Sequence, residues 1–126
     1  MVREISGVNI NIALNNGIWL LSPDSATGKT RLGSLLRSLE LNGDSICSFS
    51  YEDIQLGRHL EDILVPGKYD LIMLDRYDMY APLGLAAMKS CATNTIILID
   101  CKKSDMLDYD DVCFITMTES SIEVDL

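Results

Sequence analysis

The sequence predicts an α/β fold with a mostly parallel central sheet and an antiparallel hairpin at each end of the chain. Short apolar segments alternate with segments of helical periodicity, which is typical of a parallel sheet covered by helices. The central strands are continuously apolar, as in strands that are buried on both faces. The 126 residues contain no repeat or linker, so residues 1–126 should form a single domain.

The first predicted hairpin occupies residues 2–21. Apolar Val8, Ile10 and Ile12 alternate with asparagines, which is the period of a half-buried strand. The turn signal Asn15-Asn16-Gly17 follows, and the apolar residues up to position 21 then form the second arm.

The next element is an amphipathic helix. Leucines at positions 32, 35, 36 and 39 have the spacing of one helical face, and Asn42-Gly43 is a plausible end signal. The remaining predicted elements, in chain order, are a strand at 46–51, a helix at 52–64, strands at 69–74 and 95–99 with a short helix at 82–90 between them, and a C-terminal hairpin of 112–117 and 122–126.

One motif carries a specific chemical prediction. Residues 22–30 read SPDSATGKT, which follows the phosphate-loop pattern G-x-x-x-x-G-K-[ST] except that Pro23 stands at the first glycine. A loop between a buried strand and a helix can direct successive backbone N–H groups at a phosphate. The residues predicted to bind a nucleotide are therefore Asp24, Ser25, Ala26, Thr27, Gly28, Lys29, Thr30 and Arg31.

Several of these residues have individual roles in the prediction. Gly28 allows the backbone to approach the anion, and Lys29 would reach the terminal phosphates. Thr30 would place its hydroxyl on a magnesium ion, which Asp75, at the end of an apolar strand, would also hold. The expected cofactors are ATP and Mg²⁺.

With these motifs, the chain resembles the P-loop NTPase superfamily, as a minimal ABC- or AAA-type ATPase-like domain without the signature motif and helical subdomain. The resemblance implies a three-layer P-loop NTPase-like fold, with Asp75 as the Walker B aspartate. It also identifies Arg76 as a departure, because the ABC branch has a catalytic glutamate at that position. Because this glutamate is missing, hydrolysis is expected to be weak or partner-dependent. Lys29 and Asp78 are the remaining candidate catalytic residues.

Composition limits the partners. The net charge of -9 argues against direct nucleic-acid binding, and no apolar run or leader sequence predicts a membrane segment. We therefore expect a cytoplasmic protein with a protein partner or a homo-oligomeric state. The four cysteines lack the paired spacing of a zinc site.

Two alternative functions stay open. The chain could be a catalytically inactive acidic regulator or inhibitor of a partner, for example a phage or mobile-element protein that acts on a nucleic-acid enzyme. It could instead bind GTP, because residues 102–105 read KKSD and partly resemble the guanine-selecting N-K-x-D.

Overall fold

The structure is a computed structural model that describes residues 1–23, 26–80, 85–102 and 107–126. Its strands are β1 (Val2–Ile5), β2 (Val8–Ile12), β3 (Gly17–Leu21), β4 (Ile46–Phe49), β5 (Leu71–Leu74), β6 (Ile96–Ile99), β7 (Asp111–Met117) and β8 (Ser121–Asp125). Its helices are α1 (Ala26–Leu41), α2 (Tyr51–Gln55), α3 (Leu60–Ile63) and α4 (Leu85–Ala92), with a 3₁₀ turn at Tyr77–Met79.

The strands form one eight-stranded sheet in the order β1-β2-β8-β7-β3-β6-β5-β4. From β7 to β4 the neighbouring strands run parallel. At the other end β8 is antiparallel to β7, β2 is parallel to β8, and β1 is antiparallel to β2. The sheet is therefore mixed, and it curves into a half-barrel.

The prediction of a three-layer P-loop NTPase-like fold is wrong. Helices account for only 30% of the chain, and α1 is the only described helix longer than eight residues. A three-layer α/β fold is built on a mostly parallel sheet, whereas this sheet is mixed, with the antiparallel pairs β1-β2 and β7-β8, and curves into a half-barrel. The local apolar patterns reveal buried strands, but they do not reveal how the strands at one end of the sheet curve.

The predicted N-terminal hairpin is also wrong in its pairing. β1 and β2 form the hairpin around Ser6 and Gly7, whose φ values of 53° and 77° are those of a tight hairpin turn. β2 then pairs with β8 and not with β3. The predicted C-terminal hairpin is confirmed, since β7 and β8 pair antiparallel with Ile115 opposite Val124.

The helix predictions have different outcomes. α1 is confirmed, with Leu32, Leu36 and Leu39 buried, and it ends just before Gly43, which has a φ of 91°. The predicted single helix at 52–64 is instead the two short helices α2 and α3, because the chain turns at Gly57 with a φ of 90°. Part of the predicted helix at 82–90 lies outside the described residues, and the rest belongs to α4.

Two apolar clusters hold these elements together. On one face, Leu32 and Leu36 of α1 pack in a cluster that includes Met73 and Leu98. On the other face, residues of α3 and α4 pack in a second cluster against β4, β5 and β6. Each fully buried side chain of this size contributes about 1.5–3 kcal/mol, so the buried leucines fix α1 against the sheet.

No helix in the described part of the chain is both long enough and apolar enough to cross a bilayer.

Candidate functional site

A crevice lies at the carboxyl ends of the parallel strands. The chain leaving β3 leads through α1 to β4 on one side, whereas the chain leaving β6 leads to β7 on the other side of β3. Ligands of open α/β sheets bind where connections diverge in this way. The crevice has a volume of about 670 Å³ and is lined by Leu20, Pro23, Lys29, Thr30, Asp75, Arg76, Asp100, Cys101 and Lys102.

A salt bridge crosses this crevice. Lys29, in the first turns of α1, donates from Nζ to Oδ1 of Asp100 at 3.0 Å. Asp100 directly follows β6, and the two side chains are only 12% and 11% exposed. α1 and β6 therefore bring a largely desolvated cation and carboxylate together, although they are 71 positions apart in the sequence.

Asp75 is the second carboxylate of the crevice. Burial and the neighbouring Asp100 carboxylate raise the pKa of Asp75, although the charge of Arg76 partly opposes them. The Asp75 backbone is fixed, because its N–H donates to the Phe49 carbonyl at 2.8 Å and its carbonyl accepts from the Tyr80 hydroxyl at 2.7 Å. Two carboxylates held this close repel each other, and a bound cation would relieve that repulsion.

The oxygen atoms of the crevice fit a magnesium ion. Thr30 offers a hydroxyl and Asp75 and Asp100 offer carboxylates, which are the oxygen ligands that Mg²⁺ prefers. The described residues contain no cluster of three or more histidine, cysteine or acidic side chains that could hold a metal ion by themselves. Mg²⁺ needs no such cage, since it keeps several waters and commonly shares its coordination with substrate phosphates.

The structure describes only part of the predicted phosphate loop. Asp24 and Ser25 lie outside the described residues, and Ala26 and Thr27 form the first turn of α1. Of the remaining predicted residues, Lys29 and Thr30 line the crevice together with Asp75.

Gly28 and Arg31 have contacts on another side of α1. Gly28 is buried, and a Cβ added to it would lie 2.9 Å from Cγ2 of Ile115 on β7. Arg31 is exposed and donates from Nη2 to the carbonyl of Glu119, in the turn between β7 and β8, at 3.4 Å. The glycine therefore allows α1 to approach β7 closely, and Arg31 is not among the described residues that line the crevice.

Arg76 has an uncommon backbone conformation. Its φ of 48° and ψ of 53° are left-handed, which costs a residue with a Cβ about 1–2 kcal/mol. Its Nε is buried without a hydrogen-bond partner among the described residues and lies 3.7 Å from Oδ1 of Asp78. Strained residues of this kind concentrate at functional sites.

Asp78, the second predicted catalytic residue, is not among the described residues that line the crevice, although it contacts two of them, Arg76 and Lys102. Its Oδ1 accepts from the Lys102 backbone N–H at 3.3 Å. Burial acts to raise the pKa of Asp78, but the Lys102 N–H and Arg76 outweigh it, so the pKa lies below the ordinary value. A carboxylate with a lowered pKa is a weak base.

A second crevice opens on the other side of Lys29, Thr30 and Asp75. It has a volume of about 240 Å³, and its other lining residues are Gly33, Ser34, Arg37, Ser48, Ser50 and Glu52. No motif in the sequence points to Glu52. The signal that could have found it is its position, three residues beyond β4, which is the strand next to β5.

A buried ionic cluster fixes the helix that carries Glu52. Asp53 is 1% exposed, and it accepts from Arg37 Nη1 at 3.0 Å and Arg58 Nη1 at 2.9 Å. It also accepts from the Ser50 backbone N–H at 2.8 Å, which caps the start of α2. α2 is therefore short but tightly held to α1.

Comparison with protein-family models, curated proteins and solved structures finds no match.

Proposed function

We propose that the chain binds Mg-ATP in the crevice at the carboxyl ends of the parallel strands, with weak or partner-dependent hydrolysis. The observation that carries this proposal is that Lys29 and Thr30, near the start of α1, line the same crevice as Asp75, which lies far from them in sequence. A mobile cation, a hydroxyl and a carboxylate are the groups needed for a terminal phosphate and its magnesium ion.

Each lining side chain has a definite role in this proposal. Lys29, Arg76 and Lys102 supply positive charge to the phosphate groups. Thr30 and Asp75 would hold Mg²⁺, which neutralises phosphate charge when it is bound. Asp100 holds Lys29 through the salt bridge until a phosphate oxygen replaces it. Hydrolysis is weak because an arginine follows Asp75 where a catalytic glutamate would stand.

Calorimetric titration of Mg-ATP tests the proposal. Lys29→Ala should weaken binding about 10- to 100-fold, because it removes a charged hydrogen bond worth about 1.5–3 kcal/mol. The matched control is Lys68→Ala, since Lys68 is exposed and its Nζ contacts the Asp62 carbonyl and the Tyr69 ring, neither of which lines the crevice. Absence of Mg-ATP binding by the wild type, or equal effects of the two variants, would refute the site.

A nucleotide-independent acidic regulator is the second candidate. It is favoured by the salt bridge that already neutralises Lys29 and by the net charge of -9. The same titration separates the two functions, because a regulator of this kind shows no heat with Mg-ATP. A Mg-GTP titration covers the third alternative, whose motif at 102–105 lies largely outside the described residues.

The proposed setting of this function is the cytoplasm, with a protein partner or a second copy of the chain. The acidic surface supports a protein partner over a nucleic acid, because a nucleic-acid backbone is itself a polyanion. Size-exclusion chromatography with light scattering, with and without Mg-ATP, measures the oligomeric state directly.

A further inference from the structure

The second crevice places a carboxylate close to the proposed nucleotide site. Lys29, Thr30 and Asp75 form a wall that it shares with the first crevice, and Glu52 lies among its other lining residues. The charge of Glu52 is close enough to contribute to the raised pKa of Asp75. A phosphate group bound by Lys29 in the first crevice can therefore be reached from the second crevice.

We infer that Glu52 is the catalytic general base for hydrolysis of the terminal phosphate; this inference rests on the proposed Mg-ATP function. The Glu52 carboxylate takes a proton from a water molecule in the second crevice. The water oxygen then bonds to the terminal phosphorus as the bond from that phosphorus to the bridging oxygen breaks. The products are ADP and phosphate, and Glu52 releases its proton to solvent.

The neighbouring carboxylates are committed to other contacts. Asp100 pairs with Lys29, and Asp78 accepts from the Lys102 backbone and lies near Arg76. Asp53 accepts hydrogen bonds from two arginines and is buried. Glu52 is exposed and forms no ion pair within the described part of the chain.

The second crevice can hold the attacking water. Its volume of about 240 Å³ exceeds that of several water molecules, at about 30 Å³ each. Ser34, Ser48 and Ser50 line it and offer hydroxyl groups as hydrogen-bond partners. The capping of α2 by Ser50 and its attachment through Asp53 hold Glu52 on a fixed element, as general-base catalysis requires.

Phosphate release from saturating Mg-ATP, measured together with calorimetric binding, tests Glu52 on the full chain. Glu52→Gln should lower the rate about 100-fold or more while binding stays within about threefold, since general-base catalysis contributes about 10²- to 10⁴-fold. Glu52→Asp should retain an intermediate rate. The matched control is Glu61→Gln, because Glu61 is exposed on α3 and should leave the rate unchanged.

The outcomes separate this inference from the function on which it rests. Wild-type binding without any phosphate release, or a Glu52→Gln rate within twofold of the wild type, overturns the role of Glu52 and leaves the binding site intact. Absence of Mg-ATP binding overturns both.

Discussion

Asp75→Asn should stabilise the protein and weaken its binding of Mg-ATP. The raised pKa of Asp75 means that the folded chain binds its proton more tightly than the unfolded chain does. Stability therefore falls as pH rises from the ordinary pKa near 3.8 through the folded pKa, and the full penalty is present above the folded pKa. The asparagine variant removes this penalty without changing the shape of the side chain.

The size of the gain follows from the surroundings of Asp75. The penalty comes from burial and from the Asp100 carboxylate, and Arg76 partly offsets it. Asp100 itself is paired with Lys29, which further reduces the repulsion. Single stabilising substitutions commonly contribute about 0.5–2 kcal/mol, and we expect about 1 kcal/mol at pH 7. At a pH well below 3.8 the difference between variant and wild type should vanish.

Urea denaturation followed by circular dichroism at several pH values measures this effect. Calorimetry should show in parallel that Mg-ATP binding falls about tenfold or more, because a ligand of the metal is lost. Asp62→Asn is the matched control, since Asp62 is exposed on α3 and its neutralisation should not increase stability. If Asp75→Asn is destabilising at pH 7, or equally stabilising at every pH, the explanation by burial and the Asp100 charge is refuted.

Three further changes probe the surroundings of the site. Asp53→Ala should cost about 3 kcal/mol in urea denaturation, at the lower end of the range for a broken buried pair because Arg37 and Arg58 are partly exposed. A loss of less than about 1 kcal/mol in the free energy of unfolding would contradict a stabilising role for these ion pairs. Gly28→Ala should cost about 1 kcal/mol, as overpacking against Ile115 exceeds the gain in helix propensity, and the cost should shrink in an Ile115→Ala background. Additive effects in this double-mutant cycle would argue against the contact. Arg76→Gly should raise stability by up to about 1 kcal/mol by relieving the left-handed backbone, while weakening Mg-ATP binding in calorimetry. Unchanged binding would remove Arg76 from the site.

Local patterns predict the elements that surround the site but not the whole sheet. The leucine spacing of α1 depends only on neighbouring residues, and so does the turn of the C-terminal hairpin. The pairing of β2 with β8 brings Ile10 opposite Ile122, across most of the chain, and no local pattern records such a contact. That pairing sets the mixed end of the half-barrel, which is why the predicted fold class fails there.

The residues of the candidate site likewise include some that the sequence predicts and some that it does not. Lys29, Thr30 and Asp75 can be found from sequence because a strand end and a helix start position them. Glu52 follows a strand that becomes the neighbour of β5 only in the folded sheet. The left-handed conformation of Arg76 likewise has no sequence signal, since residues with a Cβ rarely adopt it.

If the proposed Mg-ATP site is correct, the charges of the crevice predict that nucleotide and cation bind together. Asp75 and Asp100 present negative charge to any approaching phosphate, and Lys29 is held by one of them. A phosphate alone therefore meets repulsion and an occupied lysine. With Mg²⁺ bound, the two carboxylates lose their mutual repulsion, and Lys29 can exchange Asp100 for a phosphate oxygen. ATP without magnesium should accordingly bind at least tenfold more weakly than Mg-ATP. Asp100→Asn should reduce this difference in affinity, because it frees Lys29 and removes one of the two repelling charges.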